Sequence, residues 1–533
     1  MSAVAEAGLI EPAALNRPAM NPWMVLPLVA MAAFMEVLDS TIVNVSLPHI
    51  AGSLSTTVDQ STWVLTSYLV ANAIVLPLNG FFTSRLGRKP YFMLCLAVFT
   101  ISSLLCGLAP NIGVLLAMRV LQGLGGGGLQ PGAQAIMAET LPRNRVGMAM
   151  AIYGIVVVVA PVLGPVLGGI ITDNLSWRWC FFVNVPVGII VLFLVYMILL
   201  DSTHHQAKGF RKGLKFDYIG LSLLSLGLAG LQVMVDRGED ADWFASRFIV
   251  GCGLVALIGL AAAFIWEWYT AEPIVNFRLL KNRNFGLTTL GMLIFGSVLY
   301  ASSTLMPLLA QTLMGYTARE AGMVLAPGGL VVLMLMPLVG TLITRVSIRW
   351  LLVFGVLANV AALELMARLS LHAAFDNLVI CRVVQGMGLA FMFVPINTAA
   401  FANMPRGQIS AASGIINLAR NIGGSVGISL SVAYVKQVSQ MQQVFLSAHT
   451  TTLNVAYNTA VSQLRSTAVA AGAVPAKALT IAQAIIYRDV LTQSGMLAYI
   501  HAFRLLGVIF LLLLPLMMLI NDVHKRPQQP VLE

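Results

Sequence analysis

The sequence predicts an all-α polytopic membrane protein, with two six-helix bundles and two inserted helices giving fourteen spans. Three observations carry this. Of 533 residues, 58% are hydrophobic and 10% charged, with mean hydropathy +0.86, whereas a soluble domain averages about 25% charged residues. Fourteen apolar runs are each long enough to cross about 30 Å of hydrocarbon. A heptad that begins with an intramembrane arginine recurs 263 residues further on, with its flanks in register.

The composition excludes an ordinary soluble enzyme and a disordered chain. Five cysteines (Cys95, Cys106, Cys180, Cys252 and Cys381) lie in apolar runs. None has CxxC or metal-ligand spacing, which excludes a disulfide scaffold. The net charge of +10 is the basic bias that membrane proteins collect in cytoplasmic loops. No long basic run is present, so no nucleic-acid partner is expected; membrane lipids are.

The runs lie near 24–45, 62–82, 91–109, 112–137, 147–171, 180–200, 216–235, 247–267, 286–310, 321–343, 350–368, 377–401, 409–434 and 499–520. Residues 1–22 carry one basic residue, Arg17, and lack the basic start and cleavage site of a signal peptide. With this tail inside, eighteen lysines and arginines fall in inside loops and tails against five outside (Arg178, Arg237, Arg247, Arg319 and Arg368). That asymmetry places both termini in the cytoplasm.

The repeat divides the chain. Arg119-Val120-Leu121-Gln122-Gly123-Leu124-Gly125 returns as Arg382-Val383-Val384-Gln385-Gly386-Met387-Gly388. Leu141-Pro142-Arg143 pairs with Met404-Pro405-Arg406, and Gly80, Arg85 and Lys89 with Gly340, Arg345 and Arg349. The expected organisation is a tail (1–22), an N-terminal bundle (23–200), a two-helix insert with linkers (201–283), a C-terminal bundle (284–520) and a cytoplasmic tail (521–533). Within the second bundle, polar residues 435–498 form a long loop outside the membrane, either a solvated connector or one or two helices at its surface. Parallel six-span repeats build one class of secondary transporter, with the substrate site between the halves.

Individual residues point the same way. Asp39 lies in an apolar run, where a carboxylate costs on the order of 3 kcal/mol. It is a candidate proton carrier; the alternative is a hydrogen bond to neighbouring helices only. Glu36, at i−3, shares its face and either joins the coupling, selects cationic substrates or lines the cavity. Arg119 holds its proton, so it is a candidate for positioning an acid or a water, or for tying backbone carbonyls. Gln122 extends its polar face, and Gly123 with Gly125 to Gly128 allow close helix approach. Arg382 reads as structural, and Glu364 and Arg420 as intramembrane charges with no evident partner. In span 5, Pro161 and Pro165 bend the helix. Its small residues at 160, 164 and 168 make a flat face, for sealing the inner half of a pathway or for hinging. The 26 Met and 24 Phe suit an adaptable apolar cavity. No P-loop, HExxH or GxSxG is present and no His/Cys cluster, so neither an enzyme nor ATP-driven transport is expected; His204-His205 sits in a basic loop.

Five motifs resemble the major facilitator superfamily, and more closely its fourteen-span drug:proton antiporter branch of the EmrB/QacA type. They are Leu38 to Pro48 with Asn44 in the first span, Gly80 to Lys89 (including Gly87 and Arg88) after the second, and Arg119-x-x-Gln122-Gly123-x-Gly125. The others are Gly154 with Ala160 to Gly169 in the fifth span, and Trp177 to Gly188 at the start of the sixth. The resemblance covers essentially the whole chain. It implies the major facilitator fold and alternating access, with protons as coupling ion and no cofactor or metal. It implies proton coupling through Asp39, Arg119 and Glu36, with Gln122 and Asn44 in support. It further implies export of lipophilic compounds from the inner membrane. In a host with two membranes, a periplasmic adaptor and an outer-membrane channel are implied too, with 435–498 as the docking surface. The gating loop departs from the pattern in having Ser84 where the family has an acid, so its latch is expected to be weak or rebuilt through Arg85 and a helix C-terminus. The competing expectations are a dedicated exporter of one metabolite, fatty acid or siderophore, and a membrane sensor that transports nothing.

Overall fold

The computed structural model describes residues 22–141, 145–199, 217–239, 241–271, 273–402, 404–451 and 453–520. Among them every regular element is helical. The N-terminal tail through residue 21, the C-terminal tail, Pro142-Arg143 and the basic linker with His204-His205 lie outside the described residues.

The first span is α1 (Pro22–Ser53), which accommodates Pro27 and Pro48. The second is α2 (Val58–Val75) and α3 (Asn79–Leu86), joined by a 3-10 turn at Leu76–Leu78. Gly87, with φ +88°, makes the turn into α4 (Arg88–Gly107). That backbone conformation penalises any side chain, which explains the glycine of the loop signature. α5 (Ile112–Gly126), capped by Asn111, continues into α6 (Leu129–Thr140) as the fourth span. The fifth, α7 (Val146–Asn174), bends by 42° between Pro161 and Leu163, because each proline removes a helix hydrogen bond. α8 (Trp179–Phe182) and α9 (Asn184–Ile198) complete the first bundle.

The insert is α10 (Tyr218–Arg237) and α11 (Arg247–Tyr269). These pack closely because Gly227 and Gly259 face each other; a Cβ on Gly227 would meet Leu260 N at 2.7 Å. The second bundle is α12 (Arg283–Thr312), α13 (Ala318–Leu342), α14 (Ile348–Met366), α15 (Phe375–Phe401), α16 (Ile409–Ser447), α17 (Val455–Ala470), α18 (Pro475–Leu511) and α19 (Leu513–Met518). Thr317 and Glu320 form a reciprocal capping box at the start of α13.

Every predicted span corresponds to a helix or helix pair, but not all are equally apolar. Among the described residues twelve helices are long and apolar enough to cross a membrane, or thirteen with the bent α7. The fourteenth, at 409–434, falls on α16. That helix turns Ser413, Asn417 and Arg420 into the interior, and its far end is rich in Gln and Ser. Its place in the bundle comes from packing against α12 rather than from hydropathy.

The polar segment 435–498 also differs from expectation. α16 runs on unbroken to Ser447, and α18 starts at Pro475 and continues into the last span. The segment is thus the ends of two extended span helices, with one separate helix, α17, that buries none of its residues and packs on α18. Gln443 Nε2 donates to Tyr487 Oη at 3.2 Å across the two extensions. Lys436 pairs with Glu239, beyond the end of α10, at 3.1 Å.

The two bundles close on each other at the end carrying the Gly80–Lys89 loop. Asn79 Nδ2 donates to Ser410 O at 3.0 Å. Cβ atoms built on Gly80 and Gly414 would stand 2.5 Å from Ala411 Cβ and from Leu76 O. Toward the opposite end α10 lies between the bundles. Its C-terminal turns meet α2 through Asp236 and Thr66, and meet α16 through Gln232 and Ser425 at 3.1 Å.

Candidate functional site

Asp39 sits near the middle of α1 with no exposed surface. Its Oδ2 accepts from Arg119 Nη1 at 2.6 Å. Its Oδ1 accepts from Gln122 Nε2 at 2.9 Å and from Asn184 Nδ2 at 2.7 Å. Arg119 is equally enclosed: Nη1 also reaches Gln122 Oε1 at 2.8 Å, and Nε donates to Val64 O at 3.0 Å. Its guanidinium stacks 4.2 Å from the Tyr68 ring centroid and 5.6 Å from that of Phe181. Helix spacing produces this arrangement, since Arg119 and Gln122 lie one turn apart on α5 and face α1 together. The pair is a buried ion pair in which both Asp39 oxygens are hydrogen-bonded, while Arg119 Nη2 has no partner among the described residues; satisfaction of the carboxylate is what lets such a pair persist in a low-dielectric interior.

Glu36, one turn before Asp39, belongs to an adjoining network. Oε1 accepts from Tyr68 Oη at 3.0 Å and Asn72 Nδ2 at 2.9 Å, and Oε2 accepts from Gln130 Nε2. Tyr68 joins the two networks, its hydroxyl on Glu36 and its ring on Arg119. Gln130 Oε1 in turn accepts from Arg420 Nη2 on α16, so Glu36 reaches the second bundle through one amide. Beside it Tyr153 Oη donates to Asn417 Oδ1 at 2.8 Å, Asn417 Nδ2 to Gln134 Oε1 at 2.6 Å, and Gln134 Nε2 to Asn397 Oδ1 at 2.7 Å. The whole chain of partners is buried. Arg420, expected to lack a partner, is a tie between the bundles. Glu364 is not an interior charge: it is 44% exposed and pairs with Arg368 at 3.0 Å. Asn44 stands apart, exposed on α1.

The flat face of α7 meets α1 beside Asp39. Cβ atoms on Gly164 and Gly168 would lie 2.0 Å from Thr41 Oγ1 and 2.5 Å from Ile42 O, so glycine alone permits this approach. The contact lies just past Asp39 along α1, on the side away from the Gly80–Lys89 end; the small face was expected either to seal the inner half of a pathway or to hinge. Nearer the loop end, α7 meets the second bundle at Gly154, whose Cβ would stand 2.6 Å from Met336 Sδ. Gly169 lies in looser surroundings, its Cβ 4.0 Å from Val45, and Pro161 and Pro165 are half-buried.

In the gating loop the charge pair is Arg88 with Glu139 at the end of α6, both nearly buried. Arg85 instead lies over the Phe81 ring of its own helix at 4.8 Å. Lys89 Nζ donates to Tyr196 O at 2.7 Å, and Ser84 Oγ to Phe81 O at 2.8 Å. Arg88 and Lys89 thus tie this segment to the first bundle, and Asn79 and Gly80 meet the second.

Sequence reasoning singled out Asp39, Arg119, Gln122 and Glu36, and the structure brings them within two joined networks. It quoted Asn184 inside the sixth-span motif without a role. It missed Tyr68, Gln130, Gln134, Asn397 and Asn417; a recurrent single amide inside otherwise apolar spans was the available signal.

The family model of the Major Facilitator Superfamily matches residues 29–428. The chain belongs to the major facilitator superfamily. It is accordingly a multi-pass membrane transporter and not an enzyme. It is 36% identical over 504 residues to the Fatty acid resistance protein FarB of Neisseria gonorrhoeae, covering 93% of this chain and 95% of that one. It is 35% identical over 403 residues to the Multidrug export protein EmrB of Escherichia coli K12, covering 75% and 78%. Among solved structures, the proton:xylose symporter XylE superposes with TM-score 0.59 at 12% identity, covering 94% of this chain and 96% of that one. The human organic anion transporter MFSD10 does so with TM-score 0.56 at 13% identity, covering 94% and 100%. At these identities the two structures speak to fold alone.

Proposed function

We propose that this superfamily member is a proton-driven antiporter that exports lipophilic compounds across a bacterial inner membrane, with both termini cytoplasmic. The observation that carries this is the enclosed Asp39–Arg119 pair at the centre of the first bundle. An ionised Asp39 holds Arg119, Gln122 and Asn184 around it. A proton arriving on Asp39 removes the charge that Arg119 faces, so the two protonation states favour different packings of α1 against α5. Because the Gly164–Gly168 face of α7 is seated on the same stretch of α1, that change reaches the helix contacting the second bundle. Glu36, through Gln130 and Arg420, adds a second carboxylate in the path between the bundles.

With the Gly80–Lys89 end in the cytoplasm, the structure is closed on the inner side. Each inward proton supplies about 2.3 kcal/mol per 100 mV and about 1.4 kcal/mol per pH unit. One proton under typical conditions thus supports a roughly hundredfold gradient of a neutral substrate. The similarity to EmrB supports a drug-exporting role, in which a periplasmic adaptor and an outer-membrane channel would complete the route.

A second reading, export of one class of lipophilic acid, is favoured by the similarity to the fatty acid resistance protein over nearly the whole chain. Everted vesicles challenged with lipophilic cations, neutral compounds and acids separate the two. Gradient-driven uptake of several classes is the expected result. Uptake of acids alone selects the second reading, and uptake of none contradicts both.

A further inference from the structure

The internal repeat around Arg119 is preserved in polarity but broken in charge. At its offset of 263 residues, Arg119 falls on Arg382, Gln122 on Gln385 and Asp39 on Ser302. The geometry repeats as well. Gln122 Nε2 donates to Asp39 Oδ1 at 2.9 Å, and Gln385 Nε2 donates to Ser302 Oγ at 2.7 Å. Arg119 Nη1 reaches Gln122 Oε1, and Arg382 Nη1 reaches Gln385 Oε1. The second bundle therefore keeps the guanidinium and the amide, and has a serine where the first has its carboxylate.

Arg382 is 4% exposed. Apart from Gln385, its one hydrogen-bond partner among the described residues is Ser303 Oγ at 3.2 Å, again neutral, and its Nε has none among them. Arg119 also leaves one nitrogen, Nη2, without a partner among the described residues, but it faces a carboxylate, a backbone carbonyl on Nε and two aromatic rings. A buried guanidinium held only by neutral oxygens is a poorly compensated charge, and its planar fork matches a carboxylate. Leu378, one turn away on α15, and Leu299, Leu305 and Met306, flanking Ser302 on α12, are all buried and apolar. A small inorganic anion would lose its hydration there with no apolar contact in return, whereas a lipophilic anion gains from those side chains. Ser303, on the approach to Nη2, is only half-buried.

We infer that Arg382, with Gln385, Ser302 and Ser303, is a binding site for the carboxylate of a lipophilic anion, which takes the place that Asp39 fills in the other half. This rests on the exporter reading above and names one substrate class for it. The same site makes Ser302 a specificity position, because an acid there would complete the pair internally and shut the anion out.

The test uses the purified full-length protein in lipid nanodiscs, with binding of decanoate and 1-decanol measured by calorimetry. The readout is the ratio of the two affinities, which a role confined to folding would not move. The wild type is expected to prefer decanoate, with sodium chloride not competing. Arg382→Gln and Ser302→Asp are each expected to lower the preference by about tenfold or more, as loss of a charged hydrogen bond requires. Ser302→Asp supplies a partner to Arg382 and so keeps the test open if Arg382→Gln does not fold. An unchanged ratio in Ser302→Asp overturns the site, and chloride competition overturns its assignment to a lipophilic anion. A wild type that shows no preference for decanoate, yet releases protons when given other substrates, overturns this site alone and leaves the antiporter standing.

Discussion

Asp39 and Arg119 are each other's solvent. Neither has exposed surface, so removing one charge strands the other. Breaking a buried pair from one side costs about 3–5 kcal/mol. Asp39→Asn is therefore expected to lower the thermal stability of the detergent-solubilised protein, and adding Arg119→Gln to recover much of the loss without recovering coupling. A double-mutant cycle of unfolding temperatures checks this; additive losses would mean that the two residues do not interact. How much of this was legible depended on residue type. An Asp and an Arg in apolar runs announce themselves, because the membrane tolerates them only with a partner. Asn184 was visible in a motif but without a role. Tyr68 was invisible, since a tyrosine in a span reads equally well as lipid-facing, and the Val64 carbonyl leaves no trace in side-chain patterns.

The helices show a similar division. Span positions follow from hydropathy, and the bend of α7 from Pro161 and Pro165. What α7 touches did not follow: a stripe of small residues fits sealing or hinging equally, and its sequence does not say that it seats on Thr41 and Ile42. Polarity marked 435–498 as outside the membrane, but polarity does not distinguish a loop from a helix leaving the bilayer. The informative signal was the lack of any Gly or Pro between Gly427 and Ser447, which lets α16 continue. The rigid pair of extensions, with Phe445, Val444 and Met441 exposed, is the candidate adaptor surface. Deleting 440–495 is expected to abolish co-purification of the adaptor while the pump still elutes as a folded species. Undiminished co-purification would sink this assignment.

On the scale of the molecule, the all-helical fold was legible from hydropathy, the repeat and the resemblance together. The contacts between the bundles were not legible. Gln134, Asn397 and Asn417 are single amides in separate spans, and no local pattern says which amide meets which. These contacts, with the Asn79 and Gly80 crossing, hold one end of the molecule shut. Gly414 is one sensitive point, because a Cβ there would stand 2.5 Å from Leu76 O. Gly414→Leu is expected to open that end. Spin labels at positions 84 and 408 should then report a longer distance than in the unsubstituted protein, and an unchanged distance would show that closure does not depend on this approach.

Coupling of export to protons through Asp39 is the central claim, and substrate-driven proton release in inside-out vesicles tests it most directly. With a fluorescent pH probe, wild-type vesicles are expected to release protons on addition of substrate, and Asp39→Asn vesicles at equal expression to release none. Equal release by both would contradict the account, because the proton would then be carried by another group.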